Sequence, residues 1–112
     1  MNWYKLAQLI PIYRGEYSGN KNGNFYSFNK EFAKQFTQSG QDNEIITKFI
    51  DLSKIYDPRK ENLPLPNASN EKEFDQTLYK TKQLKLDGFI VDEGLNEPNS
   101  VYVLNKSILK SI

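Results

Sequence analysis

The sequence predicts a single α+β domain, and three observations carry that expectation. Short runs rich in β-branched and aromatic residues recur along the chain: NFYSF at 24–28, EIITKFIDL at 44–52, LDGFIV at 86–91 and VYVL at 101–104. Two asparagines, Asn29 and Asn70, each precede a stretch whose apolar residues repeat with helical spacing. Clusters of Gly, Asn and Pro separate these segments. A chain of 112 residues holds one core, so residues 1–112 are expected to form one domain.

The elements follow in order. Residues 6–13 are apolar-rich and interrupted by Pro11, which suggests a short helix or turn and then a short strand. The polar segment 15–23 (GEYSGNKNG) is the strongest breaker in the chain. After the strand at 24–28, Asn29 caps a helix over residues 30–37, with Glu31 at the favourable end of its dipole. Phe32, Ala33 and Phe36 then form one inward face. Ser39-Gly40 turns the chain into the strand at 44–52, and Asp57-Pro58 closes that region. Pro64 and Pro66 prolong an irregular connection. Asn70 with Glu73 has the spacing of a capping box, and Phe74 and Leu78 share a face of the helix it opens. Two final strands flank the acidic loop 92–100.

Composition removes several chemistries. There is no Cys, hence no disulfide framework and no Cys-based zinc site, and a reducing compartment suits the chain. There is no His, which excludes Ser-His-Asp and Cys-His machinery. Chemistry would fall to carboxylates, Arg, Lys, Tyr, Ser or a bound cofactor. The net charge of +1 comes from fifteen basic and fourteen acidic residues spread along the chain, so a nucleic-acid partner is not expected. The first seven residues, MNWYKLA, do not read as a signal peptide, and no apolar run reaches the roughly 18–20 residues of a membrane span. A cytoplasmic monomer is the expectation. Asn67-Ala68-Ser69 matches a glycosylation sequon, which without a secretion signal carries almost no information.

Three motifs occur together: Tyr13-Arg14-Gly15 after a short apolar strand, the strand-to-helix stretch GNFYSFNKEFA at 23–33, and LDGFIV followed by a loop and VYVLNKSILKS at 101–111. In order and spacing, over roughly residues 9–112, the chain resembles the ADP-ribosyltransferase-like domains of phage polyvalent proteins and small mobile-element effectors. The resemblance implies two small antiparallel sheets at a steep angle, flanked by two or three helices, with NAD in the cleft between the sheets. It places Arg14 where the family holds the NAD phosphates or ribose, a task suited to a planar, two-pronged cation. Tyr13 and Gly15 flank that position, and Gly15 allows close approach to the backbone. Ser27 falls on the ribose-supporting strand. Phe25, Tyr26 and Phe28 become candidates to stack on nicotinamide, although strand alternation lets only one of the pairs 25/27 and 26/28 face a cleft.

The family's Glu or Gln before the last core strand falls on Ser100 in this chain. Ser100 is therefore carried as a cofactor-side residue, and Glu97, then Glu93 and Asp92, are the candidate catalytic carboxylates. The resemblance implies NAD-dependent transfer of ADP-ribose to a host or competitor protein, inside the host cell. The alternative is a catalytically degenerate domain of the same fold that inhibits a protein by binding it. Plainer roles stand beside these: the aromatics as core, Arg14 as an ion-pairing residue, Ser27 as an ordinary strand hydroxyl, and the three acids as solvated loop residues.

Overall fold

The computed structural model describes residues 9–21, 23–41 and 44–111. The helix or turn expected before residue 9 lies outside the described residues. The elements are β1 (Leu9–Gly15), β2 (Phe25–Ser27), α1 (Lys30–Ala33), β3 (Ile45–Asp51), α2 (Glu71–Gln83), β4 (Gly88–Val91) and β5 (Ser100–Val103). One-turn 3₁₀ segments follow α1, β3 and β5 at Lys34–Phe36, Leu52–Lys54 and Lys106–Ile108, and another lies at Pro58–Glu61.

The α+β class holds, with one sheet where two were expected. The strands form a single antiparallel ladder in the order β3-β1-β2-β5-β4. The reason is β2, which pairs with β5 through three residues and with β1 through one, Tyr13 opposite Ser27. That single rung joins two blocks, the long β1–β3 pair and the β2–β5–β4 group. Isolated bridges add to both outer strands: Phe49 with Lys110 beside β3, and Tyr56 with Phe89 beside β4. A parallel bridge from Asn67 to Asp92 continues the line of β4 past its end. Covered edges of this kind limit edge-to-edge pairing.

Alternation along the strands divides the core in two. One face carries Ile12, Tyr26, Ile50, Ile90, Val101 and Val103, with Ile55 packed on them and Leu65, Ile108 and Leu109 around. The other carries Phe89 and Val91, against which Phe74 and Leu78 of α2 pack together with Tyr102. Phe74 meets the rings of Phe89 and Tyr102 at 5.1 and 4.9 Å between centroids, both edge to face, an arrangement that aromatic quadrupoles favour. With layers on both faces, all four residues of β4 are buried.

Both asparagine caps form. The Asn29 side chain accepts from the Phe32 N–H at 2.9 Å, and the Asn70 side chain accepts from the Glu73 N–H at 3.1 Å. The capping box is completed differently from its sequence pattern: the Glu73 carboxylate accepts from the N–H of Asn67 instead of reaching back to Asn70. Helix α1 is a single turn that tightens into 3₁₀ geometry, so Phe32 and Ala33 are buried while Phe36 is 47% exposed. That exposure makes Phe36 a wall of the hollow described next.

Candidate functional site

A hollow of about 350 Å³ lies beside α1, near the single β1–β2 rung. Register pairs place Thr47, Tyr13, Ser27, Ser100 and Val91 in one row across the five strands. Three members of that row, Tyr13, Ser27 and Ser100, line the hollow. Helix α1 and the turn after it contribute Phe32, Ala33 and Phe36, and Ala68 and Glu93 come from two loops. Helix α1 approaches β1 closely because residue 15 is Gly: a Cβ there would run into the carbonyl oxygen of Ala33.

Beyond the Tyr13–Ser27 rung β1 and β2 exchange no further register pair, and Arg14 bridges them instead. Its Nη1 donates to the Phe25 carbonyl at 3.0 Å, its Nη2 donates to the Asn20 carbonyl, and its Nε meets the Glu16 carboxylate at 2.9 Å. Arg14 and Glu16 side chains are only 11% and 15% exposed, so this ion pair is well shielded from water. A guanidinium has five N–H donors, and contacts among the described residues use three of them, which leaves two. Asn20 fastens the same loop. Its amide donates to the carbonyls of Gly15 and Phe36 at 3.3 and 3.1 Å, and its Oδ1 accepts from the Tyr17 N–H at 2.7 Å.

Seven of the eight expected cofactor residues line the hollow: Tyr13, Arg14, Gly15, Phe25, Tyr26, Ser27 and Ser100. The eighth, Phe28, packs against the core cluster of Ile12 and Tyr26 instead. Strict alternation would have kept Tyr26 from sharing the hollow with Phe25 and Ser27. The one-rung joint is where groups from both faces of β2 reach the same space. Burial pushes the Tyr26 phenol above its usual range, against the opposing pull of the Arg14 guanidinium and with a further push from Glu16.

Of the three carboxylates, Glu93 lines the hollow and Asp92 and Glu97 do not. The Asp92 backbone is taken up by Pro66 and Ala68, and its side chain accepts from the Gly94 N–H at 2.9 Å. Left-handed backbone at Gly94 and Asn96 then turns the chain, with the Glu97 N–H bonded to the Gly94 carbonyl, and Glu97 is exposed. Glu93 is half-buried, and among the described residues its carboxylate has no ion-pair or hydrogen-bond partner. Ser100 is 3% exposed, and among the described residues no buried side-chain polar atom is left without a hydrogen-bond partner. The Ser27 hydroxyl accepts from the Asn29 N–H at 2.9 Å.

Sequence reasoning did not assign Asn20, Phe36 or Ala68 to the site. For Asn20 the available signal was its place in a Gly/Asn loop directly after the Arg14 motif. Ala68 arrives through the Asn67–Asp92 bridge, which nothing local announces. Among the described residues no cluster of acidic side chains could hold a metal ion, and no helix is long and apolar enough to cross a membrane. No family model matches the chain, and no curated protein or solved structure matches it.

Proposed function

We propose that the hollow beside α1 binds NAD and that the protein, from a phage or mobile element, transfers ADP-ribose to a host or competitor protein. The observation that supports this most is convergence: Arg14, Ser27, Glu93 and Ser100, distant in sequence, line one aromatic-walled space. Its volume of about 350 Å³ falls within the roughly 300–1,000 Å³ usual for small-molecule sites. The Phe25 and Phe36 rings offer a flat wall to nicotinamide. The Ser27 and Ser100 hydroxyls suit the ribose, and the two remaining N–H donors of Arg14 suit a phosphate oxygen.

In the reaction the bond between nicotinamide and the ribose carbon breaks, and nicotinamide leaves with the electron pair. Positive charge develops on the ribose as this happens, and the Glu93 carboxylate stabilises it. The acceptor nucleophile then bonds to that carbon and gives up a proton to water.

The inhibitor alternative is favoured by one specific observation, the commitment of Arg14 to Glu16, Asn20 and Phe25 within the protein. Nicotinamide release with host lysate as acceptor separates the two functions. A transferase releases nicotinamide, and Glu93→Gln lowers the rate at saturating NAD by about 10²–10³-fold. A pure binding module releases none from the wild type.

A further inference from the structure

We infer that copies of this chain associate head to tail, the loop after β4 of one copy seating on a basic, leucine-bearing end of the next. The inference is independent of the proposed NAD function.

The receiving surface is the end of the molecule where α2 stops and β4 begins. Three backbone bonds gather it: the Lys85 N–H donates to the Lys82 carbonyl, the Leu86 N–H to the Thr81 carbonyl and the Asp87 N–H to the Lys54 carbonyl. Lys54, Lys82 and Lys85 are exposed there, and Leu52 and Leu84 are 36% and 47% exposed. Lys82 and Lys85 make no ion pair among the described residues. The nearby acids Asp51 and Asp87 are half-buried and accept from Ser53 and Asn105, so the exposed charge is positive. The dipole of α2 accounts for lysines in its last turn, but Lys54 lies on another element, and the dipole does not explain the exposed leucines.

The occupant lies on the same chain, at the opposite end. The Asn67–Asp92 bridge puts the loop after β4 beside the start of α2. Thirteen residues of helix, about 20 Å, separate that start from the basic end, so the loop cannot reach the basic end of its own molecule. In this loop Leu95 is 91% exposed, the most exposed large apolar side chain among the described residues. Left-handed backbone at Gly94 and Asn96 and the Glu97 N–H bond to the Gly94 carbonyl preform the turn that presents it, so docking loses little ordering entropy. Glu97 is exposed two residues on and makes no ion pair among the described residues. A leucine beside a carboxylate thus answers leucines beside lysines. The apolar contact supplies attraction and the charges fix its direction. Each copy keeps one loop or one basic end open, so the contact propagates into a ring or an open chain.

Sedimentation equilibrium over a concentration series tests this at about 0.05 M and about 0.5 M salt, where screening lengths differ about threefold. The wild type should associate with a Kd of about 0.1–1 mM at the lower salt and several-fold more weakly at the higher. Lys82→Glu with Lys85→Glu, and separately Leu95→Lys with Glu97→Lys, should each stay monomeric, because like charges then face each other. Mixing these two double variants should restore a complex, since the unaltered loop of the first meets the unaltered basic end of the second. All four positions are exposed, and circular dichroism should show both variants folded. Leu95→Ser, which changes no charge, should weaken association several-fold at both salts. In the wild type, NMR shift changes on dilution should fall at residues 52–54, 82–85 and 94–97. A wild type that is monomeric at about 1 mM, double variants that associate as the wild type does, a mixture that stays monomeric, or shift changes centred on another surface overturns the inference.

Discussion

Replacing Arg14 with Ala should destabilise the protein by about 3–5 kcal/mol, the usual range for breaking one side of a shielded ion pair. The magnitude follows from what the guanidinium holds. It has a 2.9 Å contact to Glu16, a 3.0 Å bond to the Phe25 carbonyl and a third bond to the Asn20 carbonyl. Each hydrogen bond to a charged group contributes about 1.5–3 kcal/mol, and the three act as a unit, so they do not add in full. Against a total stability of about 5–15 kcal/mol for a domain of this size, the loss is large. Arg14→Lys should recover about half, because an ammonium can meet Glu16 but lacks the fork that spans both carbonyls. Urea unfolding followed by far-ultraviolet circular dichroism measures all three proteins. A double-mutant cycle with Glu16→Ala should give a coupling of about 1–3 kcal/mol. An Arg14→Ala loss below about 1 kcal/mol, or no coupling, would refute the claim that this side chain joins the two strands and the 16–24 loop.

Four further outcomes follow from the same structure. Gly15→Ala should cost about 1–3 kcal/mol in urea unfolding, because its Cβ collides with the Ala33 carbonyl and forces α1 away; an unchanged midpoint would mean that α1 yields freely. Asn29→Ala, which removes the cap on α1, should cost about 0.5–2 kcal/mol by the same assay. Phe89→Ala should cost about 3–5 kcal/mol, since Phe89 is fully buried in the core beneath α2. The hydrogen bond from Arg59 holds the Asp57 carboxyl below its usual range, against the opposing effect of burial. A lowered folded-state pKa gives stability that is fully present above the unfolded value, about 3.9, and is lost as pH falls through the folded value. Because Arg59 is half exposed, Asp57→Asn should cost only about 1 kcal/mol at neutral pH, and its difference from wild type should vanish near pH 2.

Local features were legible in the sequence where local chemistry decides them. Asn29 and Asn70 announced their helices because a cap is made within three residues, and both caps form. Strands were placed to within one or two residues, since β-branched and aromatic runs bounded by Gly, Asn and Pro leave little choice. Sheet assembly was not legible. Whether β2 joins β1 or stands apart from it is decided by one long-range rung, Tyr13 with Ser27, and by the Arg14 contacts beyond it. The carboxylates show the same limit. Sequence distance from Ser100 pointed to Glu97 first, but left-handed turns at Gly94 and Asn96 leave Glu93 as the acid at the hollow. Phe28 missed the hollow because the alternation that buries it depends on which face of β2 meets the core cluster.

The most direct test of the account is a calorimetric titration of NAD into the wild type and into Ala68→Trp. Ala68 is a half-buried loop residue that lines the hollow, and an indole there would occupy space open to NAD. The account predicts saturable binding to the wild type with a Kd below about 1 mM, equivalent to about 4 kcal/mol, and at least about tenfold weaker binding to a folded Ala68→Trp protein. No binding to the wild type at about 10 mM NAD, ten times that limit, or equal affinity in the blocked variant, would contradict it.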